Sequence, residues 1–223
     1  MSVTLIWLLA VGMGVYQGLN PPIGWLLAVG RGLEKRSLRA LFASTWALAF
    51  GHFLSMIVLL VPIAVLIAVL VSQQIYPVDL MQMAWFLSLT LIGFGIYKIL
   101  RPQHPKFIVR IRPDQPVRWS FFMGLTHCGS PVMMVPMLIN LSMVSTWLVI
   151  FGASTTGHLL GYIVLALGFS AAMAISLLVT ASMVAVTVFQ RLGLRGLTRC
   201  WLNLDLGWAV MFILMGIMGL TMN

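Results

Sequence analysis

Long apolar runs, broken at a few places only, set the plan of this chain. The stretches free of Lys, Arg, Asp and Glu are 1–30, 40–78, 80–97, 119–190 and 206–223. An α-helix needs about 20 residues to cross a bilayer. The stretch 119–190 has room for two crossings, with 142–157 as the turn region between them. Six helical spans are predicted, near 4–29, 40–71, 80–100, 119–141, 156–188 and 200–221. The second and fifth exceed what a perpendicular helix requires, so tilt or ends projecting from the bilayer are expected. Pro62 offers a kink in the second.

Composition sharpens this picture. Of 223 residues, 61% are hydrophobic and 8% charged, with a mean hydropathy of +1.06. Soluble domains carry roughly 25% charged residues, so the composition predicts an integral membrane protein. The N-terminal run lacks a basic leader and a small-residue cleavage site, and reads as a first span rather than a signal peptide. Cys128 and Cys200 are far apart and form no C-x-x-C, which supports neither a disulfide framework nor a zinc cluster.

The net charge of +9 raises nucleic acid as a partner, but its distribution points elsewhere. Arg31, Lys35, Arg36 and Arg39 fall between spans one and two. Lys98, Arg101, Lys106, Arg110, Arg112 and Arg118 fall between spans three and four, and Arg191, Arg195 and Arg199 between spans five and six. These are all 13 basic residues, and the other two connections hold none. The positive-inside rule then places three connections in the cytoplasm and both termini outside. The charge orients the protein in a bilayer; no nucleic-acid partner is expected. The proline-punctuated "HPKFIVRIRPDQP" reads as a surface contact with anionic lipid.

Within the apolar runs, short polar motifs recur. "GVYQGLNPP" from Gly14 and "GLTHCGSPV" from Gly124 share a frame: Gly14 matches Gly124, Gln17 matches His127, Asn20 matches Ser130 and Pro21 matches Pro131. "GHFLS" at Gly51 answers "GHLLGY" at Gly157. With three spans per half, the second half is upside-down relative to the first, an arrangement found in many transporters. The predicted fold class is thus an all-α integral membrane protein of six transmembrane helices in two inverted three-helix repeats. Residues 1–100 form the first repeat, 101–117 a basic cytoplasmic connection and 118–223 the second repeat.

A proline frees a backbone carbonyl one turn earlier, tolerated at membrane depth where the freed group faces protein or a cavity. Breaks at Pro21, Pro22 and Pro131, each preceded by polar groups, predict a shared cavity between spans one and four. Its expected substrate-binding residues are Tyr16, Gln17, Asn20, Thr126, His127 and Ser130. Intramembrane ionisable groups are costly and mark relays or ligand sites. His52, His158 and Asp205 are therefore candidates for proton coupling, since a histidine titrates near physiological pH. The other reading of the histidines is interhelical hydrogen bonding beside Gly51 and Gly157. For Asp205 it is a salt bridge to an arginine or a cap with Asn203. The dispersed methionines read as gap-fillers, and Trp7, Trp25, Trp119 and Trp201 as interfacial anchors.

"GLNPPIGW", the Gly-His of span two and the three-plus-three plan resemble the lysine-exporter (LysE) superfamily of small six-span bacterial transporters. The second-half stretches "HPKFIVRIRPDQPVRWSFFMGLTHCGSPVMMVP", "GHLLGYIV" and "GLRGLTRCWLNLDLGWAVMFILMGIMGL" are similar to a family of bacterial inner-membrane proteins. The resemblance implies an exporter of a small solute or ion in the inner membrane. Two departures bear on the chemistry. Nickel–cobalt efflux relatives carry an Asp-His after the first histidine of a helix, where "FLSMI" follows His52. Disulfide-reductase relatives in cytochrome c biogenesis carry Cys after each repeat's proline, where this chain has Pro22 and Val132; that chemistry needs two thiols.

The sequence thus predicts a secondary transporter, not an enzyme, with no resident cofactor. Its expected partners are a small-molecule or ion substrate and the lipid bilayer, and a homo-oligomer is compatible with the pattern. No G-x-x-x-x-G-K-[ST] stretch occurs in the chain to bind ATP phosphates. Hard divalent cations want carboxylate oxygens, leaving a soft metal, a neutral or zwitterionic amino acid, or an oxyanion as substrate classes. Two other classes remain: a membrane-embedded metal- or haem-binding redox protein using His52, His127 and His158, and a non-transporting subunit holding a partner through 101–118.

Overall fold

A computed structural model describes residues 3–20, 25–72, 77–100, 115–126, 155–192 and 204–221. All structure among the described residues is helical. We number the α-helices α1 (Val3–Leu19), α2 (Leu26–Glu34), α3 (Leu38–Ser72), α4 (Pro77–Leu100), α5 (Pro116–Thr126), α6 (Thr155–Thr187) and α7 (Leu204–Thr221). One π-helical turn, Val188–Leu192, follows α6.

Among the described residues two helices, α3 and α6, are long and apolar enough to cross a membrane. Large apolar side chains stand on the outward faces and polar ones inside. Trp46, Phe86, Leu89, Ile175 and Met183 are exposed, whereas Gln17, Thr45, His52, Ser55, Ser120 and Ser170 are buried. Soluble monomers rarely expose apolar surface so continuously. Pro62 lies inside α3, which continues through it as one helix.

The span expected at 4–29 is two helices rather than one. α1 ends at Leu19, where the backbone N–H of Asn20 donates to the Gln17 carbonyl at 3.1 Å, and α2 begins at Leu26. The Trp25 indole N–H donates back to the Leu19 carbonyl at 3.0 Å, tying the two pieces together. α2 then turns sharply into α3. The N–H groups of Arg36 and Ser37 donate to the carbonyls of Leu33 and Gly32 at 3.3 and 3.0 Å, a Schellman closure. Arg36 occupies its left-handed position, with φ 46°.

Helix contacts define which elements pair and in which sense. α1 packs on α6, α5 on α3, α3 on α6 and α4 on α7. Small residues let the backbones approach, as in membrane helix pairs generally. On α1, Gly14 meets the Met173 carbonyl and the Ser176 hydroxyl, and a methyl added at Gly18 lies 2.8 Å from the Leu177 carbonyl. Trp7 crosses Gly168 and stacks tilted on Phe169 at 4.6 Å. Positions rise together along the two chains, so α1 and α6 run parallel.

The same is true of α5 and α3. Gly51 meets the Val117 carbonyl, and Gly124 meets Ser55 with the His52 Nδ1 3.1 Å from where its Cβ would stand. Gly32 touches both Leu41 at the start of α3 and Phe189 beyond the end of α6, so α3 and α6 run antiparallel. Gly95 against the Ala209 carbonyl and Gly216 against the Ser88 carbonyl make α4 and α7 antiparallel, with Phe94 edge-on to Phe212 at 5.0 Å.

Candidate functional site

The polar residues buried in this apolar bundle divide into two kinds. Most hydroxyls fold back on their own helix: Ser44 donates to Ala40, Thr45 to Leu41, Ser55 to His52 and Ser170 to Ala166, all at 2.7–2.9 Å. Such i−3 and i−4 bonds satisfy the hydroxyl proton where it stands. Thr45 and Ser55, on the same helix as His52, therefore spend their protons on backbone carbonyls rather than on its ring.

The second kind has no such outlet. Both amide atoms of Gln17, the side-chain oxygen of Asn20, both ring nitrogens of His52 and the Ser120 hydroxyl are buried and find no hydrogen-bond partner among the described residues. An orphaned buried polar group costs about 1–3 kcal/mol. Gln17 and Asn20 lie on the buried side of α1 at its C-terminal end, one turn apart. His52 lies on α3 where α5 crosses it, its Nδ1 beside Gly124. Ser120 lies on α5 one turn before Gly124, its Cβ 3.1 Å from the position a side chain would take at Gly51.

No protein-family model, curated protein or solved structure matches this chain.

Of the residues expected to bind substrate, Gln17 and Asn20 are buried and Tyr16 is half-buried against the core. Thr126 is the last residue of α5, while His158 and Asp205 take backbone positions near the starts of α6 and α7. His127, Ser130, Pro21, Pro22 and Pro131 lie outside the described residues, and with them the expected meeting of Gln17 and Asn20 with His127 and Ser130. Ser120 was not among the expected residues. Its signal in the sequence is Ser120-x-x-x-Gly124, a small-residue pair facing Gly51-x-x-x-Ser55 on α3. No group of three His, Cys, Asp or Glu side chains gathers among the described residues, so a metal here would need other donors.

The contacts also register the two long helices. If Gly14 and Gly124 are equivalent, then Ser176 answers Ser55 and Met173 answers His52, because each glycine meets that pair. The hydrogen bonds agree: Ser55 donates to the His52 carbonyl at 2.7 Å and Ser176 to the Met173 carbonyl at 3.0 Å. The match of Gly51-His52 to Gly157-His158 is not the one these contacts follow.

Proposed function

We propose that this protein is a secondary transporter of a small solute or ion, built as six membrane spans in two inverted three-helix repeats. The observation that carries the reading is the set of orphaned buried polar atoms on Gln17, Asn20, His52 and Ser120, inside a bundle whose outer surface is apolar. Together they forgo several kcal/mol of stability at about 1–3 kcal/mol each, a cost accounted for by a ligand that supplies the missing hydrogen bonds. Intramembrane polar groups are functional candidates on the same ground.

The helix directions support the inverted repeat. Exchanging the halves carries α1 on α6 into α5 on α3 and returns α3 on α6 and α4 on α7 to themselves. α1 runs with α6, α5 with α3, and α3 against α6, so α1 and α5 point in opposite senses, as inversion requires. The same geometry brings Lys35, Arg36 and Arg39 to the end of the bundle that holds Arg191, through the contact of Gly32 with Leu41 and Phe189. One basic end supports a cytoplasmic face there and both termini outside. An inner-membrane exporter is the form of transporter that the resemblance to the lysine-exporter superfamily adds.

In this reading Tyr16, Gln17 and Asn20 on α1 and Thr126, His127 and Ser130 at and beyond the end of α5 contact the substrate. His52 and Ser120 lie in the adjoining joint, and His158 and Asp205 are further coupling candidates. The test is a thermal-shift screen of purified protein against amino acids, soft metals and oxyanions, since a ligand bound by the native state raises apparent stability. A ligand that stabilises wild type but neither Gln17→Ala nor His127→Ala supports the proposal. Normal transport by both variants in proteoliposomes would overturn the shared site.

A further inference from the structure

The first two helices end in opposite ways. α2 closes in a turn that takes up the carbonyls of Arg31, Gly32 and Leu33, among the basic residues Arg31, Lys35 and Arg36 that suit a helix C-terminus. α1 has no basic residue in its last turn, and no Lys or Arg is buried among the described residues. The partial negative charge of its C-terminal end therefore meets no cation of its own helix. This end also lies inside the protein. Gly18 stands against the Leu177 carbonyl and Ala181, and α6 with the turn after it runs on past that level to Leu192, about 15 Å farther at 1.5 Å per residue. Trp25, itself buried, folds back over the end and donates its indole N–H to the Leu19 carbonyl at 3.0 Å.

Oxygen atoms collect at this covered end. The last four carbonyls of an α-helix have no N–H ahead of them in the helix. Here the Gln17 carbonyl takes the Asn20 N–H at 3.1 Å and the Leu19 carbonyl takes Trp25, and a carbonyl oxygen carries two lone pairs. The bond from Asn20 to Gln17 holds residue 20 over the last turn, so the two side chains start about 5–6 Å apart. Gln17 Oε1 and Asn20 Oδ1 accept no hydrogen bond, on residues 0% and 3% exposed. Neither amide titrates, so proton exchange at these atoms does not explain them.

We infer that the C-terminal end of α1 binds an alkali cation of the Na⁺ type, coordinated by Gln17 Oε1, Asn20 Oδ1 and main-chain carbonyl oxygens of the same turn. Its role as the coupling ion rests on the transporter reading; the site itself does not. Broken-helix C-terminal ends and freed carbonyls hold Na⁺ in secondary transporters. A neutral set of oxygens suits a single hard charge. Ca²⁺ and Mg²⁺ draw on carboxylates, and no Asp or Glu is buried among the described residues. Soft ions prefer sulfur and imidazole. The Gln17 Nε2, also unbonded, is the other prong of the amide, so with Oε1 on the ion its N–H groups stay available to the substrate.

The probe is Na⁺ itself, titrated as NaCl into the purified protein in choline chloride at constant ionic strength. The melting midpoint and radioactive Na⁺ bound per chain are read together. Wild type is expected to bind Na⁺ saturably and to melt higher with it, as a ligand of the native state requires. Gln17→Leu and Asn20→Ala are each expected to weaken Na⁺ binding by about tenfold or more, since even outer partners of a bound metal act at that level. Gln17→Glu keeps an oxygen in place and adds a charge, and is expected to retain Na⁺ and to admit Ca²⁺. Melting of each variant in choline alone checks its fold. Equal wild-type midpoints in Na⁺ and choline, or a Na⁺ response unaltered in both Gln17→Leu and Asn20→Ala, would overturn the inference. Na⁺ bound but not moved across proteoliposomes would refute the coupling role and leave the site. Flux of an amino acid or oxyanion that is equal in Na⁺ and choline, with no Na⁺ bound, would overturn the site and leave the transporter.

Discussion

Replacing Gln17 with leucine removes a polar amide from a place where both its atoms are buried and unbonded, while keeping a side chain of similar bulk. Two opposing effects follow. Lost shape complementarity in a volume-conserving swap costs under about 1.5 kcal/mol. Relief of orphaned polar atoms returns about 1–3 kcal/mol for each, and Gln17 carries a donor and an acceptor. The balance favours the variant by roughly 0.5–6 kcal/mol on those figures. A chain of this size shifts its midpoint by about 2–4 °C per kcal/mol, so the gain is large enough to resolve. The assay is thermal unfolding of wild type and Gln17→Leu side by side in the same detergent, without added ligand. A higher midpoint for Gln17→Leu, joined to loss of ligand response, is the signature of a polar group kept for binding rather than for folding. A midpoint lowered by several degrees would refute the reasoning, since it would mean that Gln17 is already satisfied within the protein.

Other substitutions test the packing. Gly14→Ala places a methyl against the Met173 carbonyl, backbone that cannot move aside, and is expected to destabilise by about 1–3 kcal/mol. Gly12→Ala, with nothing within 4 Å of the new methyl, is expected to gain roughly 0.5–1 kcal/mol of helix stability; melting of the two variants separates a seam contact from helix propensity. Arg36→Gly relieves a left-handed conformation at φ 46° and is expected to raise stability by about 1 kcal/mol, read from the same melts.

Much of the helix pattern is legible in the sequence because an apolar run of fixed length leaves little choice. The stretch 40–71 is α3 at Leu38–Ser72, and 156–188 is α6 at Thr155–Thr187. The break after Leu19 was marked by Asn20 and two prolines, though not the second helix that resumes at Leu26. Pairing of helices was less legible. Short motifs match by residue type, so Gly51-His52 was set against Gly157-His158. If Gly14 and Gly124 are equivalent, the groups that meet these glycines set His52 against Met173 instead. Ser120 was overlooked for a related reason: its spacing of four to Gly124 is a small-residue pair whose meaning emerges only when Gly51 is placed across from it. Gln17, Asn20 and His52 were legible because polar groups inside so apolar a chain are few, and their isolation is the information.

The asymmetry between the joints follows from the same register. If Gly124 and Gly14 are equivalent, Ser120 on α5 corresponds to Ala10 on α1, and His52 to Met173. Ala10 and Met173 are buried, so the joint of α1 with α6 holds apolar groups where the joint of α5 with α3 leaves a hydroxyl and an imidazole without partners among the described residues. Two inverted halves with identical joints would hold a ligand equally from either side. In the proposed inverted repeat the two joints share the close contact of glycine with serine, the matched geometry on which a rocking motion would depend. They differ in the donors beside that contact, so a ligand has different interaction energies in the two. Ligands shift a two-state equilibrium only through such a difference. The double substitution His52→Met with Ser120→Ala gives the joint of α5 with α3 the residues of the joint of α1 with α6. The expected result is a protein that folds at least as well as wild type, because Met and Ala already pack in that setting, but whose bound ligand no longer favours one conformation. Accessibility of a cysteine placed on α5, measured with and without ligand, reads that preference. If the ligand still shifts it as in wild type, the difference between the joints has no part in the cycle.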